Sequence, residues 1–418
     1  MTPYRRALGG LLVLATAAGL TACAGNDDDT SGQRKAERSA STHASGTHAS
    51  GTHASGTHAN AARSTTGHPR TRALLKRLTT KDGGPGASVA LRDRTGSRVL
   101  TSGLADVKSK EPMRADSRFR IGSMTKPFVA TVVLQLVGEG RMSLDAPVER
   151  YLPGLIRGHG NDGRKITVRQ VLQQTSGLPD YLNSIKTEDV LKNPLTHYEA
   201  RDLVKRALRY RPGFEPGKKW EYSNTNYVLA GLLVERVTGN TYGHEIRRRV
   251  IEPLGLRQTS VPHDSTKIRG PHPRGYARPG KDAPLQDITA LNPTVLGPSG
   301  SMISNGADFN RFLDALVHGK LLRAAEQREL TKTRPTGDGE GGAYGLGIES
   351  HPLSCGGLSW GADGGVPGYQ TLAAVTRDGR RATGMVNLYP GETNAQDKDL
   401  TSLVRTALCE GRAAKPHK

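Results

Sequence analysis

The sequence predicts an α+β fold in which both ends of a globular region supply one sheet and the middle supplies a helical insertion. Segments 87–91 and 98–101 are apolar and extended, and the turn residues between them are typical of a β-hairpin. A second extended pair, 370–375 and 382–386, lies near the other end of the chain. Because the chain between the two pairs shows helical periodicity, we expect strands and helices to be segregated along the sequence.

The predicted helices follow from apolar residues that recur three or four positions apart. The run that begins at Phe128 is stopped by Gly138 and Gly140, and the next helix begins near Thr167. The full set of predicted helices is 128–137, 167–175, 186–210, 227–237, 308–321 and 400–408.

The chain has 418 residues, which is enough for one large domain or two of ordinary size. It carries 59 Lys and Arg residues against 39 Asp and Glu residues, so its net charge is strongly positive. This excess fits an anionic partner, such as a cell-wall polymer or a membrane surface, as well as it fits an arginine-rich composition with no dedicated partner. No basic tract is interleaved with aromatic residues, which argues against nucleic-acid binding.

Residues 1–23 are typical of a signal peptide, with Arg5 and Arg6 before a short apolar stretch. That stretch is too short to remain in a bilayer as a spanning helix. The sequence Leu-Thr-Ala-Cys at 20–23 resembles the lipobox of bacterial lipoproteins, which implies that Cys23 is lipidated and anchors the chain outside the cytoplasm. The alternative is an ordinary signal peptide and a secreted protein.

Residues 24–71 are predicted to form a disordered tether rich in His, Ser and Gly, since they contain almost no apolar side chains. A five-residue unit, Thr-His-Ala-Ser-Gly, repeats from Thr42 and is truncated at its fourth copy. The repeat places histidines at 43, 48, 53 and 58, which offers weak metal binding as an alternative to a plain spacer.

Ser123 and Lys126 form a candidate nucleophile and base at the start of a predicted helix. They are three residues apart, so both side chains lie on one helix face. Unpaired N–H groups at a helix start suit a developing oxyanion. A serine hydroxyl needs a neighbouring base, and a lysine can serve when burial lowers its pKa.

Tyr222 and Asn224 form a second candidate pair just before the helix predicted at 227–237. They alternate in an extended segment, so their side chains point to the same side. We expect neighbouring ammonium or dipole groups to lower the pKa of the Tyr222 phenol enough for proton shuttling. The Asn224 amide can both donate and accept hydrogen bonds.

These motifs occur in a fixed order, with IGSMTK at 121–126, QTSGLPDY at 174–181 and YSNTNY at 222–227. Together they resemble the serine β-lactamase and penicillin-binding-protein family, nearest its branch of class C β-lactamases, D-alanyl-D-alanine carboxypeptidases and related esterases. The resemblance implies a β-lactamase/transpeptidase-like domain at 72–412. Its fold would be an antiparallel sheet flanked by helices, plus a helical subdomain.

The resemblance also implies a role for each motif residue. Ser123 would be the acylated nucleophile, and Lys126 would help take its proton. Tyr222 would be the general base and acid, and Asn224 would bind the substrate amide. The family pattern requires no cofactor and no metal.

A later segment, WGADGG at 360–365, corresponds to an inner strand of the family. Gly364 matches the glycine of the family's strand triplet. The N–H groups of Gly365 and Ser123 would form the oxyanion hole, and Asp363 would lie at the substrate.

The same strand departs from the family pattern. Ala362 stands where His or Lys is implied, Asp363 replaces a Thr or Ser, and Glu349 stands where related carboxypeptidases have an arginine. Two cationic positions are lost and two carboxyl groups are gained, so we predict that substrates with a free carboxylate are handled poorly. An alternative is that His351 or Lys218 supplies the missing positive charge.

Cys355 and Cys409 are the cysteines that follow Cys23. Two cysteines outside the cytoplasm usually pair, and related secreted carboxypeptidases look similar at this point. Two free thiols are the alternative.

The prediction for function is a monomeric serine hydrolase that forms an acyl-enzyme, of the D-alanyl-D-alanine carboxypeptidase type, acting on cell-wall peptides. An esterase or a D-amino-acid amidase on the same fold is a second prediction. A weakly catalytic binder of wall peptides or β-lactams is a third. The small-molecule partners are therefore a peptide, an ester or a β-lactam.

Overall fold

The computed structural model describes residues 67–280, 283–391 and 394–410. The predicted signal peptide, the lipidated Cys23 and the four repeated histidines lie outside the described residues, and they stay predictions. Within the described residues no helix combines the length and the apolar character needed to cross a bilayer.

Helices occupy the middle of the domain and both of its ends. They are α1 (Pro69–Thr80), α2 (Lys126–Gly138), α3 (Val168–Leu172), α4 (Thr187–Lys192), α5 (Ala200–Ala207), α6 (Asn224–Thr238), α7 (Tyr242–Ile246), α8 (Glu252–Leu254), α9 (Gly306–Val317), α10 (Ala324–Leu330) and α11 (Ala395–Glu410).

Strands are concentrated near the two ends of the domain. They are β1 (Gly86–Asp93), β2 (Gly96–Asp106), β3 (Glu111–Pro112), β4 (Phe119–Arg120), β5 (Arg157–Gly158), β6 (Asn161–Asp162), β7 (Tyr276–Ala277), β8 (Gln286–Asp287), β9 (Ile303–Ser304), β10 (Arg334–Pro335), β11 (Ala343–Tyr344), β12 (Glu349–Pro352), β13 (Leu358–Val366), β14 (Tyr369–Thr376) and β15 (Arg381–Val386).

One antiparallel sheet joins the two ends of the chain, in the order β10-β11-β12-β13-β14-β15-β1-β2-β3. The first strand pairs with the last, with Ala87 opposite Val386. Both predicted hairpins form, and they are adjacent in this sheet. The predicted α+β fold, one antiparallel sheet flanked by helices with a helical insertion, is therefore confirmed.

The sheet separates two hydrophobic cores because alternate residues of a strand face opposite sides. On β14, Ala373 and Val375 pack into the larger core, which also contains α2, α6 and α9. Ala374, between them, packs into the smaller core under α1 and α11. In the larger core the rings of Phe128 and Phe312 stack with centroids 3.6 Å apart, which fixes α2 against α9.

The disulfide Cys355–Cys409 joins the β12–β13 turn to α11. It therefore links the C-terminal helix α11 to the half of the sheet that contains β10 to β13.

Several predicted boundaries differ from the structure, and the helices predicted at 227–237 and 400–408 both begin earlier, as Asn224–Thr238 and Ala395–Glu410. The helix predicted at 186–210 is two helices, α4 and α5, because Pro194 cannot continue a helix and disfavours helical backbone before it. The helix predicted at 308–321 is Gly306–Val317, since the Asn305 side chain caps it by accepting from the N–H of Asp308.

The predicted boundary of the tether at residue 71 lies inside the first helix of the domain. Helix α1 begins at Pro69, and the Nε2–H of buried His68 donates a 2.8 Å hydrogen bond to Asp93 Oδ2. The backbone N–H of Thr71 donates to Glu410 at the end of α11. Composition marks the start of α1 poorly because its first residues, Pro-Arg-Thr-Arg, are polar.

Candidate active site

A tight turn delivers Ser123 to the start of α2. Residues Gly122–Thr125 form one 3-10 turn that runs directly into α2. Gly122 has a φ of +52°, and a Cβ there would lie 2.8 Å from the carbonyl oxygen of Gly365. Glycine at 122 therefore allows both the left-handed backbone and the close approach of β13.

Lys126 is buried beside Ser123 and contacts three oxygen atoms. Its Nζ lies 3.0 Å from Ser123 Oγ, 2.9 Å from Asn224 Oδ1 and 2.8 Å from the carbonyl oxygen of Ser299. These contacts join the start of α2, the start of α6 and the 3-10 turn Gly297–Ser299 at one amine.

The environment of Lys126 makes it a base near neutral pH. Burial lowers its pKa from 10.5 to about 7, although the carboxyl groups of Asp180, Asp363 and Glu349 act in the opposite direction. A large fraction of this amine is therefore neutral at pH 7, with a lone pair that can accept a proton.

Tyr222 completes the hydrogen bonding of Ser123. Its hydroxyl donates to Ser123 Oγ at 2.6 Å, and the Lys126 ammonium nitrogen lies 4.7 Å from the centre of its ring. The expected lowering of its pKa is wrong. Burial and the charge of Asp363 raise the pKa of the Tyr222 phenol well above 10, so it holds its proton at neutral pH.

Asn224 connects Lys126 to a buried carboxyl group that sequence reasoning did not single out. Its Oδ1 accepts from Lys126, while its Nδ2 donates to Asp180 Oδ2 at 2.9 Å. Asp180 also accepts from the N–H of Leu182, and burial raises its pKa. The signal was present in the sequence, since Asp180 belongs to the QTSGLPDY motif at 174–181.

The carbonyl of Ser299 is the second contact that the sequence did not reveal. A backbone acceptor leaves no mark on the side-chain pattern, and only the folded chain brings residue 299 to Lys126.

Strand β13 lies against the nucleophile turn. A Cβ at Gly364 would lie 2.1 Å from the carbonyl oxygen of Ile121, so this position requires glycine. The Thr371 hydroxyl donates to the carbonyls of both Ile121 and Gly364 at 3.1 Å, which fixes the strand to the turn. Gly365 lies next to Gly122, beside Ser123.

Asp363 and Gly365 share one face of β13, since they are two residues apart. Glu349 on β12 is directly opposite Gly361, so its side chain lies on the same face, diagonal to Asp363. Burial and the neighbouring Glu349 raise the pKa of Asp363 to about 7. Ala362 lies on the other face, where it packs in the larger core.

His351 lies next to these carboxyl groups. Its Nε2 is 3.4 Å from Glu349 Oε2, and its Nδ1 is 3.9 Å from Asp338 Oδ2. Although burial acts to lower the pKa of His351, these two carboxyl groups raise it. Across the part of the chain that the structure describes, no group of three His, Cys, Asp or Glu side chains is arranged to hold a metal ion.

The order of these residues and the antiparallel sheet can be compared with known families. The sequence profile of the family described as Beta-lactamase matches residues 71–405. The chain belongs to the beta-lactamase family.

Two solved structures similar to this chain are amide hydrolases by their descriptions. A D-stereospecific amidohydrolase from Streptomyces sp. is 39% identical, with a TM-score of 0.74, over 79% of this chain and 96% of that one. D-amino acid amidase from Ochrobactrum anthropi SV3, complexed with L-phenylalanine amide, is 28% identical, with a TM-score of 0.70, over 82% of this chain and 98% of that one.

Among curated proteins, penicillin-binding protein 4* of Bacillus subtilis (strain 168) is 27% identical over 296 residues. The match covers 67% of this chain but 62% of that relative, so the chain spans a little under two thirds of the relative's length. Membership of the family and the amide-hydrolase neighbours identify this beta-lactamase-family protein as a serine hydrolase.

Proposed function

We propose that this serine hydrolase forms an acyl-enzyme at Ser123 and cleaves amides and esters whose acyl part carries a positively charged amino group, as in D-amino acid amides. The observation that carries the proposal is the pair of carboxyl groups, Asp363 and Glu349, on the strand face beside the nucleophile. The similarity to a D-stereospecific amidohydrolase and to a D-amino acid amidase supports it.

Acylation begins when the neutral Lys126 amine accepts the hydroxyl proton of Ser123. A neutral amine has two N–H bonds, which Asn224 Oδ1 and the Ser299 carbonyl accept, so its lone pair faces Ser123 Oγ at 3.0 Å. Oγ then bonds to the substrate carbonyl carbon, and the oxyanion is stabilised by the N–H groups of Ser123 and Gly365.

Tyr222 supplies the proton for the leaving group. Its phenol keeps its proton at neutral pH and lies 2.6 Å from Ser123 Oγ. When the C–N or C–O bond breaks, the leaving nitrogen or oxygen takes this proton, and the proton held by Lys126 replaces it. Water then attacks the ester at Ser123 by the reverse transfers, which releases the acid and restores the hydroxyl.

The strand face favours a cationic substrate on electrostatic grounds. An ammonium group near Asp363 favours ionisation of that carboxyl, whose pKa of about 7 reflects burial and the repulsion from Glu349. A free carboxylate at the same place adds a third negative group. D-alanyl-D-alanine carboxypeptidase activity therefore stays a weaker prediction, although penicillin-binding protein 4* is a relative.

His351 does not reverse this balance at the strand face. It lies beside Glu349 and within 4 Å of Asp338, so its positive charge is shared between two carboxyl groups. Ser123 would attack the lactam amide of a β-lactam in the same way, but penicillins and cephalosporins carry a free carboxylate, so we expect slow acylation by them.

A matched set of substrates tests the proposal. We expect kcat/KM for D-alanine p-nitroanilide to exceed that of its N-acetyl derivative by about tenfold or more, since one unit of pKa-equivalent interaction is a factor of ten. Diacyl-L-Lys-D-Ala-D-Ala, nitrocefin and p-nitrophenyl acetate complete the set. Fluorophosphonate labelling that Ser123→Ala abolishes establishes the nucleophile independently.

Two results would contradict the proposal in different ways. Efficient release of D-alanine from the diacyl peptide, with equal kcat/KM for D-alanine p-nitroanilide and its N-acetyl derivative, would instead support the carboxypeptidase prediction. Absence of any labelling or turnover would favour the prediction of a weakly catalytic binder.

A further inference from the structure

A basic groove lies on the helical part of the domain, away from the residues that contact Ser123. It has a volume of about 510 Å³ and is formed by segment 153–159 and by α5 with the two residues that follow it. None of its lining residues makes a hydrogen bond to Ser123, Lys126 or Tyr222. The groove is therefore a separate feature of the molecule.

The positive charge of the groove comes from the spacing of residues on α5. Arg201 and Lys205 are four residues apart and lie on one face of α5, and Arg209 lines the same groove from the turn that follows the helix. Arg157 and His159, from segment 153–159, line the same space. Four permanent cations and a histidine thus surround one concave space, and no lining residue carries a carboxyl group.

The centre of the groove is apolar. Leu208 is 7% exposed and Leu155 is half-buried, and both line the same space as the cations. A ligand that fits the groove has an uncharged backbone that packs on Leu155 and Leu208, and negative groups that reach the surrounding cations.

Acidic neighbours neutralise only part of this charge. Arg157 pairs with Glu149 and with Asp162, and Lys205 pairs with Asp202 at 2.9 Å. Within the described residues, Arg201 and Arg209 have no carboxyl group within ion-pair distance.

Glu235 is a further acid near the groove, because its charge interacts with Arg201 at longer range. Burial raises the pKa of Glu235, which weakens that charge. Two guanidinium groups therefore remain available to an incoming anion.

We propose that this groove is a binding site for a phosphate-bearing cell-wall polymer, which holds the hydrolase close to the wall. Guanidinium groups bind phosphate oxygens in a bidentate way, and the spacing along α5 suits several phosphates on one flexible chain. The polyol or sugar between phosphates packs on Leu155 and Leu208. The predicted location outside the cytoplasm and the strongly positive net charge fit such a partner.

The lining favours this polymer over two other polyanions. No Phe, Tyr or Trp side chain lines the groove, so a nucleic-acid strand has only the small imidazole ring of His159 on which a base could stack. The site is concave, whereas binding to a lipid surface needs a protruding apolar and basic face.

The test compares two triple variants with the same loss of charge. Arg201→Gln/Lys205→Gln/Arg209→Gln removes the α5 cations. Lys76→Gln/Arg94→Gln/Lys108→Gln removes three exposed cations at the sheet end of the domain. Binding of fluorescent poly(glycerol phosphate) is measured by anisotropy at low and moderate salt, with anionic vesicles and a single-stranded oligonucleotide as competitors.

We expect the α5 variant to bind the polymer about tenfold more weakly or worse, and the control variant to stay within about twofold of the parent protein. Polymer binding should depend less on salt concentration in the α5 variant than in the parent protein. Equal losses in both variants, no measurable binding by the parent, or stronger binding to vesicles or oligonucleotide would overturn the proposal. Fluorophosphonate labelling of Ser123 should be unchanged in both variants, which separates this test from that of the proposed function.

Discussion

The two sides of the active site differ in the charge that they present to a substrate. The nucleophile wall, formed by Ser123, Lys126, Tyr222 and Asn224, is joined by hydrogen bonds of 2.6–3.0 Å. The strand wall, formed by Glu349, Asp363, Gly364 and Gly365, presents two carboxyl groups that repel each other. The first wall is a connected set of donors and acceptors, and the second carries negative charge that attracts a cationic group.

We expect the first wall to carry out the reaction and the second to select among substrates. A paired, buried cluster holds atoms in position for a reaction that is the same for every acyl substrate. Negative charge at the edge of a cleft changes the binding free energy of one substrate relative to another. Substitutions in the nucleophile wall should therefore reduce all activities together, while substitutions in the strand wall should change the ranking of substrates.

The largest expected effect comes from removing the base. Lys126→Met should lower the rate of acylation by about a thousandfold for cationic and neutral substrates alike, since a positioned general base contributes 10²–10⁴-fold. The measurement is fluorophosphonate labelling and turnover of both p-nitroanilides. Lys219→Met, at an exposed position, is the control and should behave like the parent protein. A loss confined to one substrate would contradict the division of tasks.

Removing the charge of the strand wall should have a selective effect. Asp363→Asn should reduce the preference for the free amine over its N-acetyl derivative by about tenfold or more, and leave the N-acetyl substrate within a few-fold of the parent value. The control is Glu111→Gln, which removes a negative charge at the far edge of the sheet. Equal losses for both substrates would mean that Asp363 supports the reaction itself.

The pH dependence of kcat/KM should differ between a neutral and a cationic substrate, because a different number of ionisable groups controls each. Lys126 must be neutral, so kcat/KM for a neutral ester should fall as the pH drops through about 7. A cationic substrate also needs ionised Asp363, whose pKa is about 7, so its kcat/KM should fall more steeply.

Asp363→Asn should remove the additional steepness for the cationic substrate. It should also move the neutral-ester profile to lower pH, because the Asp363 charge raises the pKa of Lys126. A shift to higher pH would show that the two groups do not interact in this way.

The smallest expected effect on activity comes from the disulfide, which supports the strand wall from outside. Cys355→Ser/Cys409→Ser opens a loop whose ends are 54 residues apart in sequence. The free energy of unfolding should fall by about 3–4 kcal/mol, while kcat/KM for a neutral ester stays within about threefold. Denaturant unfolding, with and without reductant, measures the change in the free energy of unfolding. An unchanged midpoint would contradict the stabilising role.

The sequence predicted the nucleophile wall better than the strand wall, for physical reasons. Ser123 and Lys126 are one helical turn apart, so local periodicity alone places that pair. The sequence predicts that Tyr222 and Asn224 alternate in an extended segment, but Asn224 is the first residue of α6, and only their closeness in sequence was predicted. Glu349 and Asp363 meet because β12 and β13 pair in a register that sets Glu349 opposite Gly361. The resemblance to the family named both residues, but it did not show that they share a face or that Ala362 points into the core.

The sequence by itself determined the order of the motifs, the two hairpins and the family, because these depend on residue types at short spacings. Only the tertiary structure decided the protonation of the site. Burial makes Lys126 a base and keeps the proton on Tyr222, which reverses the expected direction for the tyrosine. Desolvation depends on everything that packs around a group, so residues as distant in the chain as Ser299 and Asp363 set the chemistry at Ser123.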